Sequence, residues 1–231
     1  MSLLKKMFEK AAELNKKNIL LSLERNPRAK LLDLGCDDGD WSLVLAKKIG
    51  TKRLYGIDIV SGQLRKADKK GLITKKADLN KKFPFKNNSF DVVHANQVIE
   101  HISDLDNFVS EVYRILKPGG YVVISTENAS SWHNIFASIM GWQIFSLTNI
   151  SKKALGIGNP LAVLKGEKIG LVSWTHKTIL NYRGLKELFI LYNFNKIKML
   201  GAGYYPLPTK LGCLDPRHAH FITLVGRKPN I

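Results

Sequence analysis

Leu31-Leu32-Asp33-Leu34-Gly35-Cys36-Asp37-Asp38-Gly39-Asp40-Trp41 is the stretch whose reading decides the fold. A short apolar run enters a turn with two glycines, and a helical spacing of apolar residues resumes at Trp41. That order reads as buried strand, tight turn, helix. Glycines at 35 and 39 let the backbone turn sharply and approach a ligand where a Cβ would obstruct it. The first N–H groups of the following helix would face outward, ready for a polar ligand. The same turn also fits a strand-to-helix connection that binds nothing.

The pattern repeats outward from this unit. Strands are expected at 30–36, 53–60, 72–79, 90–96 and 121–126, with helices at 41–49, 62–70 and 105–116 between them. Strands alternating with helices of this length predict a parallel sheet covered on both faces, with right-handed connections. Residues 1–26 precede it as an amphipathic helical segment stopped by Asn26-Pro27. The rhythm breaks over 128–174, a stretch rich in Trp, Phe, Gly and Asn, and resumes with a helix at 177–193 and strands at 196–200 and 220–227. No internal repeat or low-complexity linker interrupts the chain, so 1–231 is expected to form one domain with an insertion.

Charge narrows the ligand. Asp33, Asp37, Asp38 and Asp40 crowd the turn; they would repel a diphosphate and suit a cation. The Gly-Lys-Ser/Thr ending of a phosphate-cradling loop is missing. Asp58 ends the second strand at about the 20-residue spacing of a carboxylate that holds ribose hydroxyls. Its other reading is a helix N-cap, a role Ser61 can fill instead. Ala77-Asp78-Leu79 closes the third strand, where Asp78 can accept from an adenine amino group while Ala77 or Leu79 flanks the ring.

Taken in order, Asp-Leu-Gly-Cys-Asp-Asp-Gly-Asp-Trp (33–41), Gly-Ile-Asp (56–58) and Ala-Asp-Leu (77–79) resemble the cofactor motifs of class I S-adenosylmethionine-dependent methyltransferases. The segments 90–102 and Leu116-Lys117-Pro118-Gly119-Gly120-Tyr121 resemble the branch containing ubiquinone-biosynthesis and other small-molecule methyltransferases. The likeness covers about residues 28–127, and the ordered set is more specific than any one motif. It implies a Rossmann-like α/β fold: a seven-stranded, mostly parallel sheet with helices on both faces and an antiparallel C-terminal strand. It implies that Asp33, Gly35, Cys36, Asp37 and Gly39 surround the methionine part of S-adenosylmethionine. Asp58 and Ile59 would hold the ribose, Ala77, Asp78 and Leu79 the adenine, and Asn96 would lie near the sulfonium. The usual middle glycine of the loop is Asp37 here, which leaves open which backbone amide meets the cofactor carboxylate.

For a hydroxyl acceptor a general base helps. His101, after strand four, and His176, leading out of the insertion in Trp174-Thr175-His176, are the two candidates, and a structural hydrogen bond is the other reading of His101. His94 reads as core. With no Asn/Asp-Pro-Pro-Tyr and no cysteine after strand four, amino-adenine methylation and a covalent cytosine mechanism are set aside. Trp132, Phe136, Ile139, Met140, Trp142 and Phe145 read as an apolar lid over the acceptor, as packing against the sheet, or as a membrane-surface patch.

The net charge of +17 comes mainly from dispersed lysines, as in Lys47-Lys48, Lys69-Lys70 and Lys152-Lys153. It fits a lysine-coated surface, or an anionic partner: RNA, a membrane surface or a phosphorylated substrate. An apolar lid beside lysines suggests a small-molecule, lipid-linked or glycan acceptor. RNA methylation is the second reading and non-catalytic S-adenosylmethionine binding the third; no obligate protein partner is implied. Two cysteines make no disulfide framework, and Cys213 with His218 and His220 reads as a surface loop and strand, so no metal is expected. No apolar run reaches the roughly 18 residues of a bilayer span and no signal-peptide core opens the chain, so it is expected to be cytoplasmic.

Overall fold

A computed structural model describes residues 3–162, 165–167 and 175–230. Seven strands form one sheet: β1 (Lys30–Leu34), β2 (Arg53–Asp58), β3 (Ile73–Lys76), β4 (Phe90–Asn96), β5 (Leu116–Glu127), β6 (Asn195–Ala202) and β7 (Phe221–Arg227), in the order β3-β2-β1-β4-β5-β7-β6. β1 to β5 pair in parallel, and β7 runs antiparallel between β5 and β6. This is the Rossmann-like sheet that the motifs imply.

Period-two alternation along the central strands feeds two cores. Leu32, Leu34, Val93, Val122 and Ile124 face one side, with Phe108, Val109 and Val112 of α4 (Leu105–Ile115) and Leu185 and Phe189 of α6 (Tyr182–Leu191). Leu31, Val92 and Val123 face the other, with Ile19 of α1 (Leu3–Leu21), Leu45 and Ile49 of α2 (Asp40–Ile49) and Leu64 and Ala67 of α3 (Ser61–Lys69). Central parallel strands are therefore apolar on both faces.

α1 carries two buried asparagines on its inner face. Asn18 Nδ2 donates to the Gly201 carbonyl (2.9 Å), and Asn15 Oδ1 accepts from Ser125 Oγ (2.9 Å) and Thr223 Oγ1 (3.0 Å). Asn15 Nδ2 then donates to Asn96 Oδ1 (3.3 Å), so the N-terminal helix is fastened to the end of β4.

Several expected boundaries move, for tertiary reasons. β1 and β2 stop at Leu34 and Asp58, because Gly35 and Cys36 N–H both turn to the Ile57 carbonyl. β3 is short, so Ala77-Asp78-Leu79 lies beyond it in a turn; Asp78 Oδ1 accepts from the Asn80 backbone and side-chain amides (2.9 and 3.0 Å). β5 begins at Leu116, which pairs with Phe90 ahead of an irregularity. α6 begins only at Tyr182, capped by Asn181, because Lys177 and Thr178 N–H are spent on the Glu100 carbonyl. α3 is preceded by Val60, and Asp58 Oδ1, not Ser61, accepts the Val60 N–H (2.8 Å).

The insertion contains a helix the spacing missed, α5 (Trp132–Ile139), followed by a 3₁₀ turn at Phe145–Leu147. α5 docks through a polar residue: Asn134 Nδ2 donates to the Asn128 carbonyl and Ser146 Oγ. Trp132, Phe136, Ile139 and Met140 are exposed, while Trp142 and Phe145 are half-buried. Residues 163–164 and 168–174, including Trp174, fall outside the described residues.

α7 (Leu211–Leu214) lies so close to β6 that a Cβ on Gly201 would sit 2.2 Å from the Gly212 carbonyl oxygen. Beside α1, His133 of α5 stacks on His220 (centroids 4.5 Å apart) and Tyr205 packs edge-on to both. Burial lowers His133 to about 3 and holds His220 well below its ordinary 6.5. Unfolded imidazoles bind protons near 6.5, so from there down to about 3 the unfolded chain takes up more protons. Stability should therefore fall as pH drops through that window, by about 1.4 kcal/mol per pH unit for each imidazole. Urea unfolding between pH 7 and 5 should show a slope that His220→Phe reduces by about that amount; an unchanged slope would remove these histidines as its cause.

Candidate functional site

The C-terminal ends of β1, β2 and β4 meet where the sheet order reverses, between β1 and β4. Open α/β sheets bind ligands at such a point. A cavity of about 520 Å³ lies there, lined by Lys16, Asp33, Gly35, Cys36, Asp37, Asp38, Asp40, Trp41, Val44, His94 and Asn96.

The loop is built from three left-handed residues, Gly35 (φ 70°), Asp37 (φ 47°) and Gly39 (φ 85°). The room a Cβ would take at Gly35 belongs to Val98 Cγ2, 2.6 Å away, and at Gly39 to Ala67 and Leu72. Close packing within the chain, together with the left-handed φ, excludes side chains at these glycines. Asp37 tolerates the left-handed region better than most residues. Its N–H donates to Asp58 Oδ2 (3.1 Å). The amide left open by the missing glycine is therefore tied to the carboxylate at the end of β2.

The acidic crowding is less than the sequence suggests. Lys70 Nζ bridges Asp38 (2.9 Å) and Asp40 (2.6 Å), and this pairing lowers Asp38 below its ordinary value. Asp33 is buried and accepts from Ser42 Oγ and from His94 Nδ1 (2.7 Å). Asp37, exposed, and Asp58, half-exposed, remain to face a ligand. Cys36 is a buried free thiol whose pKa is pushed up by burial, then by Asp33 and Asp58; its sulfur fills the space over Gly56. Ile59 is exposed at the end of β2, and the Ala77 N–H donates to the Asp58 carbonyl (3.2 Å), which carries the 77–79 turn beside it. Ala77 and Leu79 also pack against the core, and none of 58, 59 and 77–79 lines the 520 Å³ cavity.

Four contributors to the cavity escaped the sequence reading. Lys16 reaches it from α1, with Nζ 5.5 Å from the Trp41 ring centroid. Trp41 and Val44 come from α2. His94, read as core, is buried but lines the cavity. A carboxylate only accepts, so the Nδ1–H is given to Asp33, and in the neutral ring Nε2 is the acceptor nitrogen. His94 Nε2 and Trp41 Nε1 are both buried with no partner among the described residues. Asn15 and Asn18 recur on the face of α1 that also carries Ala11 and Leu14, and that polar interruption was the available signal.

A second cluster lies past the end of β4. The 3₁₀ turn Ile99–His101 and the segment before α6 bring Glu100, His101 and His176 together, their ligand atoms all within 4.8 Å of one another. Glu100 is 1% exposed; burial raises its carboxyl to about 8, while Thr126 Oγ1 donates to Oε2 (2.9 Å). His101 Nδ1 donates to the Thr175 carbonyl (3.1 Å) and His176 Nδ1 to the Ser146 carbonyl (2.6 Å). Burial lowers His101 to about 4. Both candidate bases thus stand side by side, with ring centroids 4.9 Å apart. Cys213 is exposed, His218 is held by Asp215 and His220 is buried, so those three form no such cluster.

A family model described as methyltransferase domain matches residues 4–198. Demethylmenaquinone methyltransferase of Listeria monocytogenes is 31% identical over 119 residues, 46% of this chain and 49% of that protein. The chain thus spans about half the length of such curated relatives. The Staphylococcus epidermidis protein of that name is 27% identical over 191 residues, covering 79% of this chain and 74% of its own. A solved structure from Thermotoga maritima, titled a SAM-dependent methyltransferase and possible histamine N-methyltransferase, superposes with TM-score 0.63 at 18% identity. It covers 97% of this chain and 93% of its own. The chain belongs to the methyltransferase-domain family. Its fold is that of the solved SAM-dependent methyltransferase it superposes on.

The turn gives a direct test. Gly35→Ala places a side chain at φ 70° and against Val98, and should destabilise the protein by about 2–4 kcal/mol in urea unfolding. A loss under about 0.5 kcal/mol would mean that the turn relaxes freely.

Proposed function

We propose that this chain methylates an apolar small molecule of lipid-linked type, at an oxygen or nitrogen or, for a quinone-like acceptor, at a ring carbon, working as a single cytoplasmic domain. The observation that carries the reading is the cavity beside the Gly35–Gly39 turn, with one buried donor and one buried acceptor left unmatched, Trp41 Nε1 and His94 Nε2. These fit the two ends of an amino acid: Trp41 N–H, with Lys16 beside it, for a carboxylate, and the His94 lone pair for an ammonium. S-adenosylmethionine has such a zwitterionic end and supplies a methyl group activated on a sulfonium.

Asp58 is placed to accept from ribose hydroxyls while its other contacts hold the loop amides of Asp37 and Val60. Ile59 stands with Asp58 at the ribose, and Ala77, Asp78 and Leu79 are assigned to the adenine. Asp33 acts through His94, Gly35, Cys36, Asp37 and Gly39 shape the methionine side, and Asn96, held by Asn15, marks the point where the methyl group is presented. In-line transfer depends chiefly on alignment. Where the acceptor is a hydroxyl, His101 and His176 are the candidate bases beyond Asn96, each with Nδ1 pinned and Nε2 turned to the proton to be taken.

The acceptor class rests on the likeness to demethylmenaquinone methyltransferases and on the insertion. α5 turns Trp132, Phe136, Ile139 and Met140 outward, a surface suited to an apolar substrate or to the lipid face in which that substrate dissolves, with Lys152 and Lys153 following. Among the described residues no helix is long and apolar enough to cross a membrane.

Calorimetry with S-adenosylhomocysteine, which retains the amino-acid and ribose groups, tests the donor site. Wild type should bind it, and Asp58→Ala and His94→Phe should each weaken binding at least about tenfold, the loss expected of a charge-assisted hydrogen bond. No binding by wild type would refute the donor assignment. Equal methylation of a lipid-linked quinol and of structured RNA would refute the acceptor class.

A further inference from the structure

Glu100, His101 and His176 are distant in sequence, but the fold locks them together. Lys177 and Thr178 N–H donate to the Glu100 carbonyl (2.7 and 3.2 Å), so the segment carrying His176 is bonded to the turn carrying the other two. A carbonyl can only accept, so the bonds to Thr175 and Ser146 put the Nδ1–H of both rings there and leave Nε2 of each as the nitrogen open to a cation. Glu100 Oε2 is held by Thr126, whereas Oε1 is fully buried without a partner among the described residues. A buried, unmatched carboxylate oxygen beside two oriented lone pairs has an energetic cost that a bound cation would remove.

We propose that Glu100 Oε1, His101 Nε2 and His176 Nε2 bind one divalent transition-metal ion of borderline softness, such as Zn²⁺, Fe²⁺ or Co²⁺. Two imidazoles and one carboxylate make the donor set of open metal sites, whereas Mg²⁺ and Ca²⁺ favour all-oxygen shells. Nδ1–H groups donating to backbone carbonyls are the usual outer support of metal-binding histidines. The three ligand atoms lie within 4.8 Å of one another, and bonds of about 2.0–2.2 Å need only a modest side-chain contraction. Three protein ligands leave positions for water or for an oxygen of the acceptor. The proposal deepens the reading of this edge as the acceptor site: with both Nε2 lone pairs committed, the histidines act on the acceptor oxygen through the ion and not as free bases.

The test uses full-length, tag-free protein stripped with a chelator, then titrated with Co²⁺ as an optical probe and with Zn²⁺ in competition. Expected are ligand-field bands saturating at one equivalent and displaced by Zn²⁺. Glu100→Gln, close to isosteric, and His176→Ala should each weaken Co²⁺ binding at least about tenfold. His218→Ala, outside the cluster, should leave it unchanged. Circular dichroism confirms that each variant is folded. Absence of the bands in wild type, or an equivalent of Co²⁺ retained by folded His176→Ala, would overturn the metal site. Calorimetry with S-adenosylhomocysteine on the same stripped protein keeps the two readings apart: binding there without Co²⁺ bands sinks the metal alone, and bands without nucleoside binding sink the donor assignment alone.

Discussion

The carbonyl of Ile57 accepts two N–H groups, from Gly35 and Cys36, and the site is organised around that double bond. It ends β1 and β2 at the same level and forces Gly35 into the left-handed region. The Asp37 amide then falls within reach of Asp58, and Gly39 starts α2. A parallel sheet whose central strands end together creates a depression with exposed backbone at its rim. Here one strand-end carboxylate stitches that rim together before any ligand arrives.

Much of the architecture was legible because central strands buried on both faces must be continuously apolar, and Leu31, Leu32 and Leu34 or Val92, Val93 and Ala95 leave few other readings. Edges and ends were less legible. The helix expected from 177 starts at Tyr182 because the Glu100 carbonyl competes for the intervening amides, a partner about 77 residues away that no local window contains. α5 was hidden for a different reason: its buried face is made of Asn134 and Ala137, so an apolar-periodicity test sees the stripe it exposes.

The site divides in the same way. Asp33, Gly35 and Asp37, within one strand-turn unit, and Asp58, at the end of the next strand, are singled out by motif and spacing. The net charge of the loop was not legible, because Lys70 neutralises Asp38 and Asp40 from the end of another helix. His94 shows how local reading fails: mid-strand placement correctly predicts burial, yet its bond to Asp33 leaves a lone pair without a partner beside a cavity. Lys16 and Asn15 enter only because α1 folds back across the sheet.

The two borders of the sheet are guarded differently. Along β6 the chain covers itself with α7, close enough that Gly201 has no room for a methyl group. On the opposite border β3 is four residues long and ends in Lys75 and Lys76. A foreign strand adding there would gain few backbone hydrogen bonds and would meet paired ammonium groups, the recognised defence against edge-to-edge polymerisation. Part of the chain's surplus positive charge thus has a mechanical use: it keeps an open sheet from growing beyond its own seven strands.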